Sequence, residues 1–533
     1  MEKRLGSRAD HKAVSAARSA RPRPLGKGRG GGIVTHDLTR RGLLAALLAS
    51  VATPLLAEAP RTSQRPLSRS LTHGQAATPV AAVPQAGLAD LVGAADLGGA
   101  TSVVVLDART GEVLEVHSPE TALPPASVAK TITSLFALEK LGPDHRFSTT
   151  VLATGPVVKG VVQGDLVLVG GGDPTLGTDD LGDMAARLKA RGVRGLTGRY
   201  LAWDGALPRI ERIAADQPDH VGYDPGLSGL ILNFGRVYFE WKRAGSGYNL
   251  SMDARGERFA PQIDLTRMAV ENREAPLFTY RLGQSTEDWT VAREALGADG
   301  SRWLPVRRAG PYVAEAFRGL CAMQGITLPP PEIVAALPAG TELARKDSEP
   351  LAVVLRGMLR WSTNITAEAV GLGASEAASL AVSGQVMTDW ARANLGHPGD
   401  FVDHSGLGSQ SRVTALGMAR ALVAGRGRPG GAHLPGILRE FGLTDDKGKA
   451  MKDSKVRVRA KTGTLNFTSG LAGFIQPPAG RELAFAIFSS DIDRRAALPM
   501  ADREEPPGGK AWLKRARRLQ AQLVRRWAES YCA

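Results

Sequence analysis

A helix that is apolar on nearly every face constrains this chain more than any other feature. Over residues 127–141, Val128, Ile132, Leu135, Phe136 and Leu138 spread around the helix, and Gly142-Pro143 ends it. A helix without a polar face must be enclosed on all sides, so this one is expected at the centre of the fold. Just before it lie two strand patterns, TSVVVLD and VLEVH within residues 100–117, joined by the turn Ala108-Arg109-Thr110-Gly111. Late in the chain, residues 455–461 read as a strand. LAGFI (471–475) and LAFAIF (483–488) read as a hairpin around Pro477-Pro478-Ala479-Gly480, and an amphipathic helix from about 511 to 527 follows. Helical patterns fill 312–325, 352–361 and much of 365–395. Strands at both ends with helices between predict an α/β (α+β) fold: one antiparallel sheet with flanking helices.

With 533 residues the chain is too long for a single hydrophobic core. Residues 147–310 change character, with many short strand-like segments broken by Gly and Asp turns, and are expected to form β-rich inserted domains. The division predicted is an N-terminal extension with an export signal (1–59), a Pro/Ser/Thr/Ala-rich flexible linker (60–85), a first part of the main domain (86–146), the insertion (147–310), and the second part (311–533). The run Gly170-Gly171-Gly172-Asp173-Pro174 lacks the Gly-Lys-Ser/Thr ending of a phosphate loop and reads as a turn.

The formal charge of +14 is not a nucleic-acid signal. Residues 1–57 hold 11 Lys/Arg and 3 Asp/Glu, a net +8, which leaves +6 for the rest. No module of interleaved basic and aromatic residues occurs. A basic cluster near the C-terminus (Lys514, Arg515, Arg517, Arg518, Arg525, Arg526) reads as a solvated helix face, with weak attraction to an anionic membrane surface or cell wall as its functional reading. Arg40-Arg41 stands directly before an apolar run ending near Ala57, which resembles a twin-arginine export signal; the run is short for a membrane span and contains Pro54. Two cysteines, Cys321 and Cys532, make no disulfide framework, and their pairing stays open. The histidines show no metal-ligand spacing, so neither a metal nor another cofactor is expected.

Three short motifs carry chemistry. Ser127-Val128-Ala129-Lys130 opens the buried helix, where residues three apart share a face and the Lys130 amine can sit beside the Ser127 hydroxyl. A serine needs such a base, and a lysine serves only as a free amine, which burial and positive neighbours favour. Ser362-Thr363-Asn364 lies between two helical segments and offers a hydroxyl and an amide for proton relay and substrate positioning. Lys461-Thr462-Gly463, followed by Thr464, ends a strand. Its edge can pair with an extended peptide, Gly463 permits close approach, and Lys461 and Thr462 suit a carboxylate.

Singly each motif is weak. In this order, on helix start, interhelix loop and strand, the three are the signature set of penicillin-binding proteins and active-site-serine β-lactamases. The 234 residues between Ser127 and Ser362 leave room for a large insertion. GDLVLVGGGDPTL (164–176), MLRWSTNITAE (358–368), DHSGL (403–407) and RAKTGTLNFTSGLAGF (459–474) resemble the class C low-molecular-mass penicillin-binding proteins, serine-type D-alanyl-D-alanine carboxypeptidases/endopeptidases. The resemblance implies a penicillin-binding/serine β-lactamase-like transpeptidase domain interrupted by two small β-rich domains. It further implies that Ser127 is acylated and Lys130 is its general base. Ser362 and Asn364 would assist proton transfer, Lys461 and Thr462 engage the terminal carboxylate, and the Ser127 and Thr464 N–H groups form an oxyanion hole. The implied partners are peptidoglycan peptides ending in or crosslinked through D-alanine, and β-lactams. His404 departs from the family's Asp-Gly-Ser-Gly motif, and Thr363 from the Asp of many relatives. A serine β-lactamase and a catalytically silent cell-wall binding protein of the same fold are the alternatives; the long insertion weighs against the first, the intact Ser127, Lys130 and Lys461 against the second.

Overall fold

The computed structural model describes residues 87–445 and 448–532. The Arg40-Arg41 signal, the apolar run after it and the 60–85 linker lie outside the described residues. The main sheet has six strands in the order Arg439–Phe441, Arg457–Leu465, Thr468–Gln476, Leu483–Ser490, Ala100–Asp107 and Val113–His117, with every neighbouring pair antiparallel. The strand expected at 455–461 thus runs on to Leu465 and carries the whole Lys461–Thr464 segment.

Strand parity distributes the apolar residues between two cores. Val103, Val105, Phe485 and Ile487 face one side, where Trp512, Leu519, Leu523 and Trp527 of the C-terminal helix Gly509–Tyr531 cover them. Val104, Leu106, Ala484, Ala486 and Phe488 face the other, against Ile132, Leu135 and Phe136 of the helix Ala129–Leu141. With both faces covered there is no polar alternation, so these strands read as continuous apolar runs. The central helix follows a 3₁₀ turn, Ala126–Val128, and all its residues from Ala129 to Leu138 are buried. The helices Leu351–Trp361, Asn364–Ser375, Leu380–Leu395 and Ala415–Arg426 complete its enclosure.

The insertion is β-rich, its first portion being a sheet that also carries helices, and one expected boundary needs correction. A five-stranded mixed sheet, in the order Pro331–Val334, Tyr200–Trp203, Leu166–Gly170, Ser148–Ala153, Thr341–Asp347, carries the helices Thr178–Ala190 and Ala309–Met323. Two three-stranded sheets follow, Gly247–Asp253/Arg236–Ala244/Asp299–Pro305 and Thr266–Glu271/Glu287–Ala292/Phe278–Leu282. The boundary at 310 falls too early. Tyr312, Val313, Phe317 and Leu320 bury against Leu168, Tyr200 and Leu230, and the strand Thr341–Asp347 pairs with Ser148–Ala153, so this second core extends to Asp347. An apolar helical stripe shows that a helix is buried, not which sheet it covers. Cys321 and Cys532 are both free and buried, the first in the inserted core and the second at the end of the C-terminal helix.

Candidate active site

The 3₁₀ turn holds Ser127 half-buried at the mouth of the central helix, and Lys130, one turn further, is wholly buried. Lys130 Nζ donates to Ser127 Oγ at 3.0 Å, to Asn364 Oδ1 at 2.8 Å and to the carbonyl of Ser405 at 2.8 Å. The amide orientation of Asn364 is fixed by its other end, since Nδ2 donates to the Tyr223 carbonyl at 3.0 Å. An ammonium has three donors for these three acceptors. A neutral amine has two, and because Asn364 Oδ1 and Ser405 O can only accept, its lone pair is left facing the Ser127 hydroxyl. Burial pulls the Lys130 amine down from 10.5 to about 8, opposed by the buried carboxylates of Glu368 and Asp403.

Ser362 caps the helix Leu351–Trp361 in a left-handed conformation (φ 60°, ψ 37°), and Asn364 opens the next helix two residues later. That tight junction presents both side chains to the same cleft. Lys461, 2% exposed, donates to Ser362 Oγ at 2.9 Å and to the Thr462 carbonyl at 2.6 Å. Burial, then the charges of Lys130 and Arg439, push its amine well below the lysine range. Gly463 packs against the turn bearing Ser127: a Cβ there would stand 2.6 Å from the Pro125 carbonyl oxygen and 3.2 Å from the Ser127 nitrogen. The edge strand Arg439–Phe441 pairs only with Val458–Ala460, so among the described residues no strand covers the edge from Lys461 to Leu465. The two-residue turn Asn466–Phe467 closes the hairpin at the Leu465–Thr468 pair. By alternation the Thr464 N–H then points to that open edge.

A cleft of about 710 Å³ opens over these groups, lined by Ser127, Ser362, Asn364 and Thr464. The eight residues singled out in the sequence therefore assemble in one place, with a difference in depth: Lys130, Lys461 and Gly463 lie beneath the wall, and Thr462 is exposed on the strand. Sequence reasoning missed Gln217 and Tyr223 of the insertion, and Arg495 and Arg503, which complete the cleft from outside the three motifs. It also missed Glu368, buried on the helix Asn364–Ser375 and one of the two carboxylates that act on Lys130. The i, i+4 spacing from Asn364 was a usable signal, since it places both on one helix face.

His404 sits behind the cleft. Its ring is buried, contacts Ser383 Oγ through Nε2 and lies parallel to Phe136. It occupies space that Gly371 leaves open; a Cβ on Gly371 would fall 2.1 Å from His404 Cγ. The departure from the Asp-Gly-Ser-Gly motif is thus absorbed inside the helical layer. Asp403 and Ser405 stay buried beside Lys130, and Asp403 accepts from the N–H groups of Gly406 and Gly408 at 2.6 Å each.

The family described as D-Ala-D-Ala carboxypeptidase 3 (S13) matches residues 85–504. This chain belongs to that family. It is a serine-type D-alanyl-D-alanine carboxypeptidase of penicillin-binding fold. A D-alanyl-D-alanine carboxypeptidase of Actinomadura sp. is 30% identical over 436 residues, 76% of this chain and 80% of the relative. The carboxypeptidase DacB of Mycolicibacterium smegmatis is 28% identical over 524 residues, 90% of this chain and 88% of its own length. Among solved structures, penicillin binding protein 4 (dacB) from Haemophilus influenzae superposes with a TM-score of 0.67 at 19% identity, covering 82% of this chain and 99% of that one. The last likeness shows the shared fold.

Proposed function

We propose that the carboxypeptidase reaction of this S13 member runs through an acyl-enzyme on Ser127. Its substrates are then peptidoglycan stem peptides ending in D-alanyl-D-alanine and, by the same chemistry, crosslinks through D-alanine. The substrate backbone lies along the open edge of Lys461–Leu465 as an added strand. Ser127 Oγ attacks the carbonyl carbon while Lys130 Nζ takes its proton. The N–H groups of Ser127 and Thr464 stabilise the oxyanion. The leaving amine takes a proton from Lys130, relayed by Ser362 with Asn364 holding the geometry, and departs as D-alanine or the crosslinked strand. Lys461, beneath Ser362, and Thr462 engage the terminal carboxylate; an arriving anion restores the Lys461 ammonium that burial disfavours. Water then hydrolyses the ester. In a β-lactam the leaving nitrogen stays tethered, so the ester persists.

One observation supports this above the others: the two obligate acceptors on Lys130 that direct its lone pair at Ser127. Mass spectrometry after penicillin exposure tests it. A penicilloyl adduct on Ser127, absent in Ser127→Ala, is expected; no adduct on the native chain overturns the reading, and rapid penicillin turnover reassigns it to a β-lactamase.

The setting is extracytoplasmic, with export through Arg40-Arg41, and a mature N-terminus upstream of Arg40 would refute that. Lys514, Arg515, Arg517 and Arg518 are exposed on the C-terminal helix and support weak attraction to an anionic wall or membrane surface. The insertion has its own core over 148–347, and its loop residues Gln217 and Tyr223 help to shape the cleft.

A further inference from the structure

Glu368 is a buried acid that the steps above leave unused. It lies on the helix Asn364–Ser375, one turn beyond Asn364, and is fully enclosed. Its Oε2 accepts the His404 N–H at 3.0 Å and its Oε1 the Ser405 N–H at 2.9 Å. These two donors fix the backbone of Ser405, whose carbonyl is one of the two obligate acceptors of Lys130. Asp403 holds the other half of the same loop through Gly406 and Gly408, and Thr133 Oγ1 donates to the His404 carbonyl at 2.6 Å.

The titratable groups around Lys130 come from three directions. The helix Asn364–Ser375 contributes Glu368, and the 403–408 loop contributes Asp403 together with His404, which burial keeps neutral. The strand Arg457–Leu465 contributes Lys461, itself repelled by Lys130. Burial alone would strip Lys130 of its proton-holding power, and a base that holds a proton too weakly is a poor catalyst. The two carboxylates supply the opposing attraction. Burial, then the neighbouring Asp403, raise the Glu368 carboxyl to about 8, and the two backbone N–H groups on its oxygens together with the Lys130 charge oppose that rise and favour its ionised form.

We propose that Glu368, backed by Asp403, is a positioning residue for the base: it anchors the peptide from which Lys130 hangs and supplies the buried negative charge that keeps Lys130 able to accept the Ser127 proton. This rests on the Ser127–Lys130 reading above. A mere loop clamp would do the first task without the second.

The test is the pH dependence of Ser127 acylation by a fluorescent penicillin, measured on the full chain as wild type, Glu368→Gln and Glu368→Asp, with thermal unfolding alongside. Glu368→Gln removes the charge, and its acid limb is expected to move down by about one pH unit or more. Its plateau rate is expected to fall about tenfold, since the freed amine is a weaker base. Glu368→Asp keeps the charge, so its limb stays at the wild-type position whatever its rate. A limb that does not move in Glu368→Gln, with only rate and melting temperature reduced, makes the residue a loop clamp and overturns the proposal; so does an equal shift in both variants. Should Glu368→Gln fail to fold, Asp403→Asn removes the second carboxylate and must shift the limb the same way, and an unmoved limb there is equally fatal. A wild-type chain that forms no adduct sinks the parent reading instead, whereas a normal wild-type limb with an unshifted variant sinks this inference alone.

Discussion

Adding one methyl group at Gly463 is expected to separate the oxyanion donors from the nucleophile. The new Cβ would meet the Pro125 carbonyl oxygen at 2.6 Å, Ala126 Cβ at 3.1 Å and the Ser127 nitrogen at 3.2 Å. An ordinary carbon–oxygen contact is about 3.3 Å, so strand and turn must part by roughly 0.7 Å. Neither side yields cheaply. The strand is paired from Arg457 to Leu465 with Thr468–Gln476, and the turn leads directly into the enclosed central helix. The displacement therefore falls between Thr464 N–H and Ser127. A misplacement near 1 Å costs on the order of 100-fold in rate, so Gly463→Ala is expected to slow Ser127 acylation by about 30- to 100-fold, or about 2–3 kcal/mol of transition-state stabilisation. Overpacking should also lower stability by about 1–3 kcal/mol. The assay is the second-order acylation rate constant with a fluorescent penicillin, with melting temperature in parallel. A folded variant that acylates at the native rate would refute the claim that close approach is why this position is glycine.

Gly371→Ala should destabilise the chain by about 3 kcal/mol, because its methyl group overlaps the His404 ring. Combining it with His404→Gly should recover more than about 1 kcal/mol of that loss in a double-mutant cycle, and simple additivity would show that the two sites are not coupled. Acylation should rise with pH and level off above about 8, because the amine form of Lys130 is the reactive one; a flat profile through that region would remove Lys130 as the base. Burial holds the His404 imidazole down from 6.5 to about 3. The unfolded chain therefore binds the proton first, and stability is lost as pH falls from 6.5 towards 3. Between about pH 7 and 5 the loss should be about 2 kcal/mol by urea unfolding, and His404→Gln should lack that share of the slope.

The sequence by itself determined the elements whose signals are local. Residues 127–141 announced an enclosed helix, TSVVVLD and LAFAIF announced strands, and the Ser127/Lys130 pair was legible because one helical turn fixes its geometry. The motif residues Ser362, Asn364, Lys461 and Gly463 were found by their order along the chain. Their depth was not: Lys461 lies under Ser362, and Gly463 serves the turn of Ser127 as much as any peptide. Tertiary structure alone decided that the helix Ala309–Met323 belongs to the inserted core, and that His404 fits because Gly371 makes room for it. It also decided that Arg495 and Arg503 share a cleft with Gln217 and Tyr223. The physical reason is range. Periodicity and turn chemistry act over a few residues, whereas burial against a particular surface, and the charge environment of an amine such as Lys130, are set by groups that only the closed fold brings within a few ångströms.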